Sequence, residues 1–122
     1  MKDYEFIAIG DTTTDAFIRL FPDSASVMDG EHPKLTLSYA EKIPFEKAYV
    51  IPGVGNSANA AVAASRLGLR TALVTHIGDD YHGQEILKKL QTEKVGTDFV
   101  TVNDNMASNY HYVLWYKDDR TI

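Results

Sequence analysis

Two stretches of this 122-residue chain carry residues able to hold a polar ligand. The first is Gly53-Val54-Gly55-Asn56-Ser57-Ala58-Asn59, which runs straight into Ala60-Ala61-Val62-Ala63-Ala64-Ser65-Arg66-Leu67-Gly68. Glycines let the main chain turn tightly and approach a ligand with no Cβ in the way. The start of the alanine-rich helix that follows offers unpaired N–H donors and the positive end of a helix dipole. A polar or anionic group is expected there. The second stretch is Gly10-Asp11-Thr12-Thr13-Thr14-Asp15, a polar cluster directly after the apolar run Phe6-Ile7-Ala8-Ile9. In open α/β sheets ligands bind at that carboxyl end of a strand.

The elements that must position these residues read as follows. Phe6–Ile9 has the continuous apolar character of a buried parallel strand. From Ala16 to about Pro44, prolines and Gly30 break the pattern repeatedly, and alternating Leu35, Leu37 and Tyr39 suggest a half-exposed strand in a small β excursion. Lys47–Ile51 is a further short strand before the glycine loop, and the helix runs from about Ser57 to Leu67 with Gly68 at C′. Thr71–Ile77 is the second clear strand. Asp80 is placed to cap a helix over roughly Tyr81–Glu93, with Ile86, Leu87 and Leu90 as its apolar stripe and Gly96 closing the unit. Phe99–Val102 is a third strand. Asn109–Tyr116 is aromatic and β-prone, Asp118-Asp119 reads as a hairpin turn, and a returning strand is expected from about Arg120. This order fits a three-layer α/β architecture with a β appendage.

Composition narrows the function. The chain is 44% hydrophobic and 24% charged, with a net charge of −5, and has no Lys/Arg cluster to meet phosphates. Nucleic acid and anionic membrane are therefore not expected as partners. Cysteine is absent, which removes disulfides and thiolate metal sites. Met1-Lys2-Asp3-Tyr4-Glu5 lacks the basic region and apolar core of a signal peptide, and no apolar run approaches a membrane span, so a cytoplasmic location is expected. His32, His76, His82 and His111 have no metal-ligand spacing. Tyr110, Tyr112, Trp115 and Tyr116 either line a cavity or an oligomer interface, or are simply strand-forming sequence.

Gly53-Val54-Gly55-Asn56-Ser57-Ala58 also matches G-x-G-x-x-A, with Asp79 at a later strand end, so a dinucleotide-binding unit is a rival reading. Against it, Pro52 stands between strand and loop, and such units use their first strand for this task. No glycine loop ends in Gly-Lys-Ser/Thr, so a Walker A phosphate site is absent.

The ordered set of Gly10-Asp11-Thr12-Thr13-Thr14-Asp15, the loop-helix ending in Arg66-Leu67-Gly68, and Gly78-Asp79-Asp80-Tyr81-His82-Gly83 resembles the N-terminal part of the ribokinase-like (PfkB) carbohydrate kinases. The likeness covers nearly the whole chain. Two positions depart from the family's Gly-Gly-x-Gly-Ala-Asn-type loop: Val54 replaces the first glycine of a pair, and Ser57 stands where another glycine often sits.

The resemblance implies a partial ribokinase-like three-layer sandwich with a small β-sheet lid. The core would be approximately 1–15 and 45–107, and the lid approximately 16–44 and 108–122. It implies ATP-dependent transfer of a γ-phosphoryl group to a sugar or nucleoside hydroxyl, with ATP and Mg2+ as cofactors. Asp15 matches the aspartate that grips sugar hydroxyls, and a carboxylate suits that role because it accepts two hydrogen bonds. Thr13 falls at a second substrate-facing position. Gly55 and Asn56 match loop positions that reach the sugar, and Asn59 matches the signature asparagine, its alternative role being to cap its own helix. The implied base is an aspartate in a downstream Gly-Ala-Gly-Asp-type motif, which these 122 residues do not contain. The chain alone is therefore expected to be inactive, as the substrate-binding part of a longer kinase. The other expectation is a non-catalytic sugar-binding or self-associating module, a homo-oligomer through its lid.

Overall fold

The structure, a computed structural model, describes residues 3–122. The N-terminal reading from Met1 and the first positions of the expected core segment therefore lie in part outside the described residues. In chain order the strands and helices are β1 (Phe6–Ile9), β2 (Thr13–Leu20), β3 (Ala25–Met28), β4 (Lys34–Leu37), β5 (Phe45–Val54), α1 (Asn56–Arg66), β6 (Thr71–Gly78), α2 (Tyr81–Thr92), β7 (Val95–Gly96), β8 (Val100–Asn103), β9 (Tyr110–Tyr116) and β10 (Asp119–Thr121). They divide into two compact units. One is the segment ending at Asp15 together with Ile51–Tyr110, and the other is Ala16–Val50 with His111–Ile122.

The first unit is mixed α/β. Its sheet is parallel: β1 pairs with β6 from Phe6↔Thr71 to Ile9↔Val74, and β7 and β8 pair with successive halves of β6. Parallel neighbours need a crossover, and α1 and α2 supply it, packing on β1, β6 and β7. Ala58 and Ala61 of α1 are fully buried, so the absence of longer side chains lets that helix lie close to Ala8 and Leu73. Ile86 and Leu90 of α2 complete this core with Ile77 and Val95. Burying each large aliphatic side chain contributes roughly 1.5–3 kcal/mol. Ile7 and Ile9 alternate with Ala8, point to the opposite sheet face and are exposed.

Both helix ends follow from local chemistry. Gly68 takes φ +96°, its N–H donates to Ser65 O at 3.0 Å, and Leu69 N–H donates to Ala64 O at 3.1 Å. That is the Schellman closure expected of a C′ glycine. Asp80 caps α2, accepting from Gly83 N–H at 2.8 Å. Gly96 closes the unit as the last residue of the short strand β7. The helix stops at Thr92, and Gly96 lies in β7, where a Cβ would collide with the ring of Tyr4.

The two helix C-termini are strapped together by Glu93. Its carboxylate accepts from Arg66 Nε at 2.8 Å and Nη2 at 2.6 Å, and from Lys89 Nζ at 2.6 Å. These bonds, Arg66 first, hold its carboxyl at about 2, far below the ordinary carboxylate range. The folded-state value is depressed, so the stabilisation is complete at neutral pH and is lost as pH falls through the range between the ordinary value and about 2. Glu93→Gln should therefore melt lower than wild type at pH 7, and the gap should close on acidification towards pH ~2. Thermal melts across that range check this. A gap independent of pH would mean that the ion pair is not its source.

In two places the chain is more regular than its sequence suggests. The polar cluster after β1 is not all loop, because from Thr13 onward it is an eight-residue strand. Two adjacent β-branched threonines followed by alternating Ala16, Ile18 and Leu20 favour extension, and the apolar set on one side includes buried Ala16 and Leu20. Likewise β5 extends past the expected Lys47–Ile51 at both ends, running through Pro52 and Gly53 to Val54. As the last strand in the order β10-β9-β2-β5 it is an edge strand, where proline is tolerated. The glycine loop is thereby reduced to Gly55. The dinucleotide-binding reading also ends here. Its βαβ unit needs both flanking strands in one parallel sheet, whereas β5 and β6 belong to different sheets.

The second unit is all β. The hairpin β3–β4 pairs Ala25↔Leu37 through Met28↔Lys34, so the Leu35–Leu37 reading holds, while Tyr39 lies beyond the strand and is 96% exposed. The expected returning strand is present, β10 pairing with β9 from Asp119↔Tyr116 to Thr121↔Leu114, but the turn is Lys117-Asp118, with Lys117 at φ 53°, one residue earlier than the expected Asp118-Asp119. The aromatic cluster has divided roles. Trp115 stacks under the Arg19 guanidinium, 4.5 Å from the ring centre, and Arg19 pairs with Glu46 at 3.1 Å. The Tyr116 hydroxyl lies 2.9 and 2.8 Å from the carbonyls of Pro22 and Ala25. No helix among the described residues is long and apolar enough to cross a membrane.

Candidate functional site

The start of β2 and the start of α1 are tied together within the first unit. Thr12 Oγ1 donates to the Val54 carbonyl at 3.1 Å, and Ser57 Oγ donates to the Asp11 carbonyl. Between these ties sits Gly55, the N-cap of α1, at φ 107° and ψ 161°, a backbone region that essentially only glycine occupies. A Cβ built there would stand 3.4 Å from Asp11 O, 3.7 Å from Thr12 Cα and 3.8 Å from Thr13 Cγ2. Glycine is thus required by its dihedral angles, while an added Cβ would meet the Asp11–Thr13 chain only at ordinary contact distance. Ser57, which departs from the family's glycine, has a structural task as one of the ties.

The cap leaves donors open. Gly55 has no side chain, and the first intrahelical bond is Asn59 N–H to Gly55 O at 2.8 Å. The N–H groups of Asn56, Ser57 and Ala58 precede that bond, so this end of α1 presents donors and the positive end of its dipole. Asn56 and Asn59 are three residues apart on one side of the helix, and both are exposed. Asn59 does not cap the helix, because Gly55 occupies the N-cap. Asp15 lies half-buried on β2. Thr13 is 2% exposed, and its hydroxyl donates to the Thr14 carbonyl at 3.3 Å. The structure therefore gathers Thr13 and Gly55 into one junction, with Asn56 and Asn59 on the open helix end and Asp15 two residues along β2. It turns the Thr13 hydroxyl towards the backbone.

A second network reaches the Asp11–Asp15 segment through Asn109. Asp80 Oδ1 accepts from Gly83 N–H at 2.8 Å and from Ser108 Oγ at 2.7 Å, while Oδ2 accepts from Ser108 N–H at 3.0 Å. Ser108 Oγ in turn accepts from Gly78 N–H at 3.0 Å. The Ser108 hydroxyl is the chief cause that holds the Asp80 carboxyl below its ordinary value, with the Ser108 and Gly83 amides adding to it against some desolvation. The next residue, Asn109, accepts the Thr14 N–H at 3.0 Å. A cleft of about 450 Å³ opens beside this network, lined by Gly10, Asp11, His76, Gly78, Asn103 and Ser108 among others. Helix capping by Asp80 is legible in the sequence, but Ser108 is not, since the two stand 28 residues apart with no local pattern joining them.

Among the described residues no group of three or more His, Asp or Glu side chains is placed to hold a metal ion.

The pfkB family carbohydrate kinase model matches residues 30–122. Over 72 residues, 59% of this chain and 24% of the relative, the sequence is 36% identical to a ribokinase of Bacillus subtilis (strain 168). It is 28% identical to a nucleoside kinase of Methanothermobacter thermautotrophicus over 121 residues, 99% of this chain and 35% of that protein. The fold matches Arabidopsis thaliana ribokinase complexed with ribose and ATP, with a TM-score of 0.71, 19% identity, and coverage of 98% of this chain and 35% of that one. It also matches the Methanocaldococcus jannaschii nucleoside kinase, with a TM-score of 0.66, 17% identity, and coverage of 95% and 34%. The chain thus spans about a third or less of the length of these relatives. A parallel α/β unit with a glycine-capped helix against the first strand's carboxyl end, together with a match over most of the sequence, settles the family: this chain belongs to the pfkB carbohydrate kinases.

Proposed function

We propose that these residues form the acceptor-binding part of an ATP-dependent sugar or nucleoside kinase. The observation that carries this reading is the junction of β2 and α1 at Gly55, in a chain of this family. On this reading Asp15 accepts hydrogen bonds from two neighbouring hydroxyls of the acceptor, while Asn56 and Asn59 donate and accept from the helix side. Gly55 lets the acceptor approach the backbone, and Thr13 forms the wall beside it. ATP, with Mg2+, supplies the γ-phosphoryl group. The side chains of this chain orient the hydroxyl that receives it, which is the main demand of phosphoryl transfer. The groups that bind ATP and take the hydroxyl proton lie outside these 122 residues. Residues of approximately 16–44 and 108–122 act as the lid, and the exposed Val27, Met28, Leu37 and Tyr39 of the β3–β4 region favour self-association through it in the cytoplasm.

Assay of the complete gene product with ATP against ribose, fructose and a set of nucleosides tests this. ATP-dependent phosphorylation of one of them is expected, with none from the 122-residue chain alone. Turnover by that chain alone would refute the division of labour. A complete protein that binds a sugar yet transfers no phosphoryl group would favour a non-catalytic binding module.

A further inference from the structure

We infer that Asp80 and Ser108 are positioning residues for the acceptor site, holding Asp15 in place through Asn109 and Thr14. This rests on the reading of Asp15 given above, but its mechanical part stands on the hydrogen bonds alone. A helix cap needs a single acceptor for one N–H, and the bond from Gly83 to Asp80 Oδ1 satisfies that need. The carboxylate does more. Both of its oxygens engage Ser108, one at the hydroxyl and one at the amide. Ser108 is 8% exposed, and its hydroxyl both donates to Asp80 and accepts from Gly78, so the residue is fixed from two sides.

No side chain fits around this clasp. A Cβ on Gly78 would lie 2.0 Å from Met106 O, and one on Gly83 would lie 2.1 Å from Gly78 O and 2.9 Å from Ser108 Oγ. The segment Met106–Ser108 is thus pressed against the turn between β6 and α2. One peptide unit further on, Asn109 O receives the Thr14 N–H, and Thr14 directly precedes Asp15. The route is short: carboxylate, serine, one peptide, one backbone hydrogen bond, one peptide. The Asp11–Asp15 segment is also tied by Ser57 to Asp11 and by Thr12 to Val54. If Asp80 releases Ser108, the Asp11–Asp15 segment loses the support that reaches it through Asn109, while the Ser57 and Thr12 ties and the pairing of β2 with β9 and β5 remain. Displacements of about 1 Å in a positioned group are enough to cost a hundredfold in rate.

Asp80→Asn and Ser108→Ala in the complete protein separate this role from capping. In Asp80→Asn the side-chain oxygen would still accept from Gly83, so α2 stays capped, but the new amide nitrogen would meet the Ser108 N–H donor to donor. Both variants should raise the KM for the acceptor about tenfold and leave that for ATP within about twofold. In both, hydrogen exchange at the Thr14 amide should accelerate by about tenfold or more. Unchanged Thr14 exchange with an unchanged acceptor KM would leave Asp80 as a helix cap only and overturn the inference. A rise in both KM values together, or faster Thr14 exchange with no change in acceptor KM, would overturn the positioning role as well. A wild-type protein that phosphorylates no acceptor would instead remove the proposed function. In that case accelerated Thr14 exchange would sustain the coupling, and unaltered exchange would overturn it.

Discussion

Asp15→Ala in the complete protein is expected to raise the acceptor KM by about a hundredfold or more, with the KM for ATP within about twofold of wild type. The size follows from the chemistry assigned to the carboxylate. A hydrogen bond to a charged group contributes about 1.5–3 kcal/mol, so removing an acceptor for two hydroxyls forfeits about 3 kcal/mol, or about a hundredfold in affinity. Asp15 lies on β2 and is only half-buried, so its truncation opens no core cavity, and the melting temperature should move little. Asp15→Asn keeps one acceptor and loses the charge, and should fall between the two. Steady-state kinetics with each substrate varied in turn decide the matter. An acceptor KM equal to that of wild type would remove Asp15 from the site.

The largest expected effect on stability is at Gly83. Helix propensity alone says that alanine inside α2 should stabilise by about 1 kcal/mol. Packing says the opposite. The new methyl would lie 2.1 Å from a backbone oxygen, Gly78 O, and 2.9 Å from Ser108 Oγ. Backbone cannot yield as the end of a flexible side chain can, so β6 and α2 must separate or the Asp80–Ser108 clasp must open. Gly83→Ala should therefore destabilise by about 3 kcal/mol or more, at the upper end of what overpacking costs. Gly30→Ala, where nothing lies within 4 Å of the added Cβ, should be close to neutral. Urea denaturation of the two variants gives the comparison. A Gly83 variant as stable as wild type would mean that this turn is loosely packed.

The parts of the fold that depend on local signals are legible in the sequence. β1 and β6 show as apolar runs, α1 and α2 by their buried Ala58-Ala61-Ala64 and Ile86-Leu90 periods, and their ends by Gly68 and Asp80. What is not legible is where a polar or proline-bearing segment becomes part of a strand. Thr13–Asp15 reads as loop because its side chains are polar, although the β-branched threonines are buried in a strand. Pro52 and Gly53 read as breakers, yet both lie in β5 on a sheet edge. In the first case polarity masks the β propensity of the threonines, and in the second the edge position overrides the breaker character of Pro52 and Gly53. The junction at Gly55 is half legible: the glycine is conspicuous, but the ties from Ser57 to Asp11 and from Thr12 to Val54 join residues more than forty positions apart. Ser108 is hidden for the same reason, since its partners Gly78 and Asp80 come from the other end of a crossover.

The most direct measurement is a crystal structure of the complete protein with the acceptor that it phosphorylates. The account predicts acceptor hydroxyls within hydrogen-bonding distance of the Asp15 carboxylate and of Asn59, with the acceptor lying against Gly55. An acceptor bound elsewhere, with Asp15 and the start of α1 untouched, would contradict it.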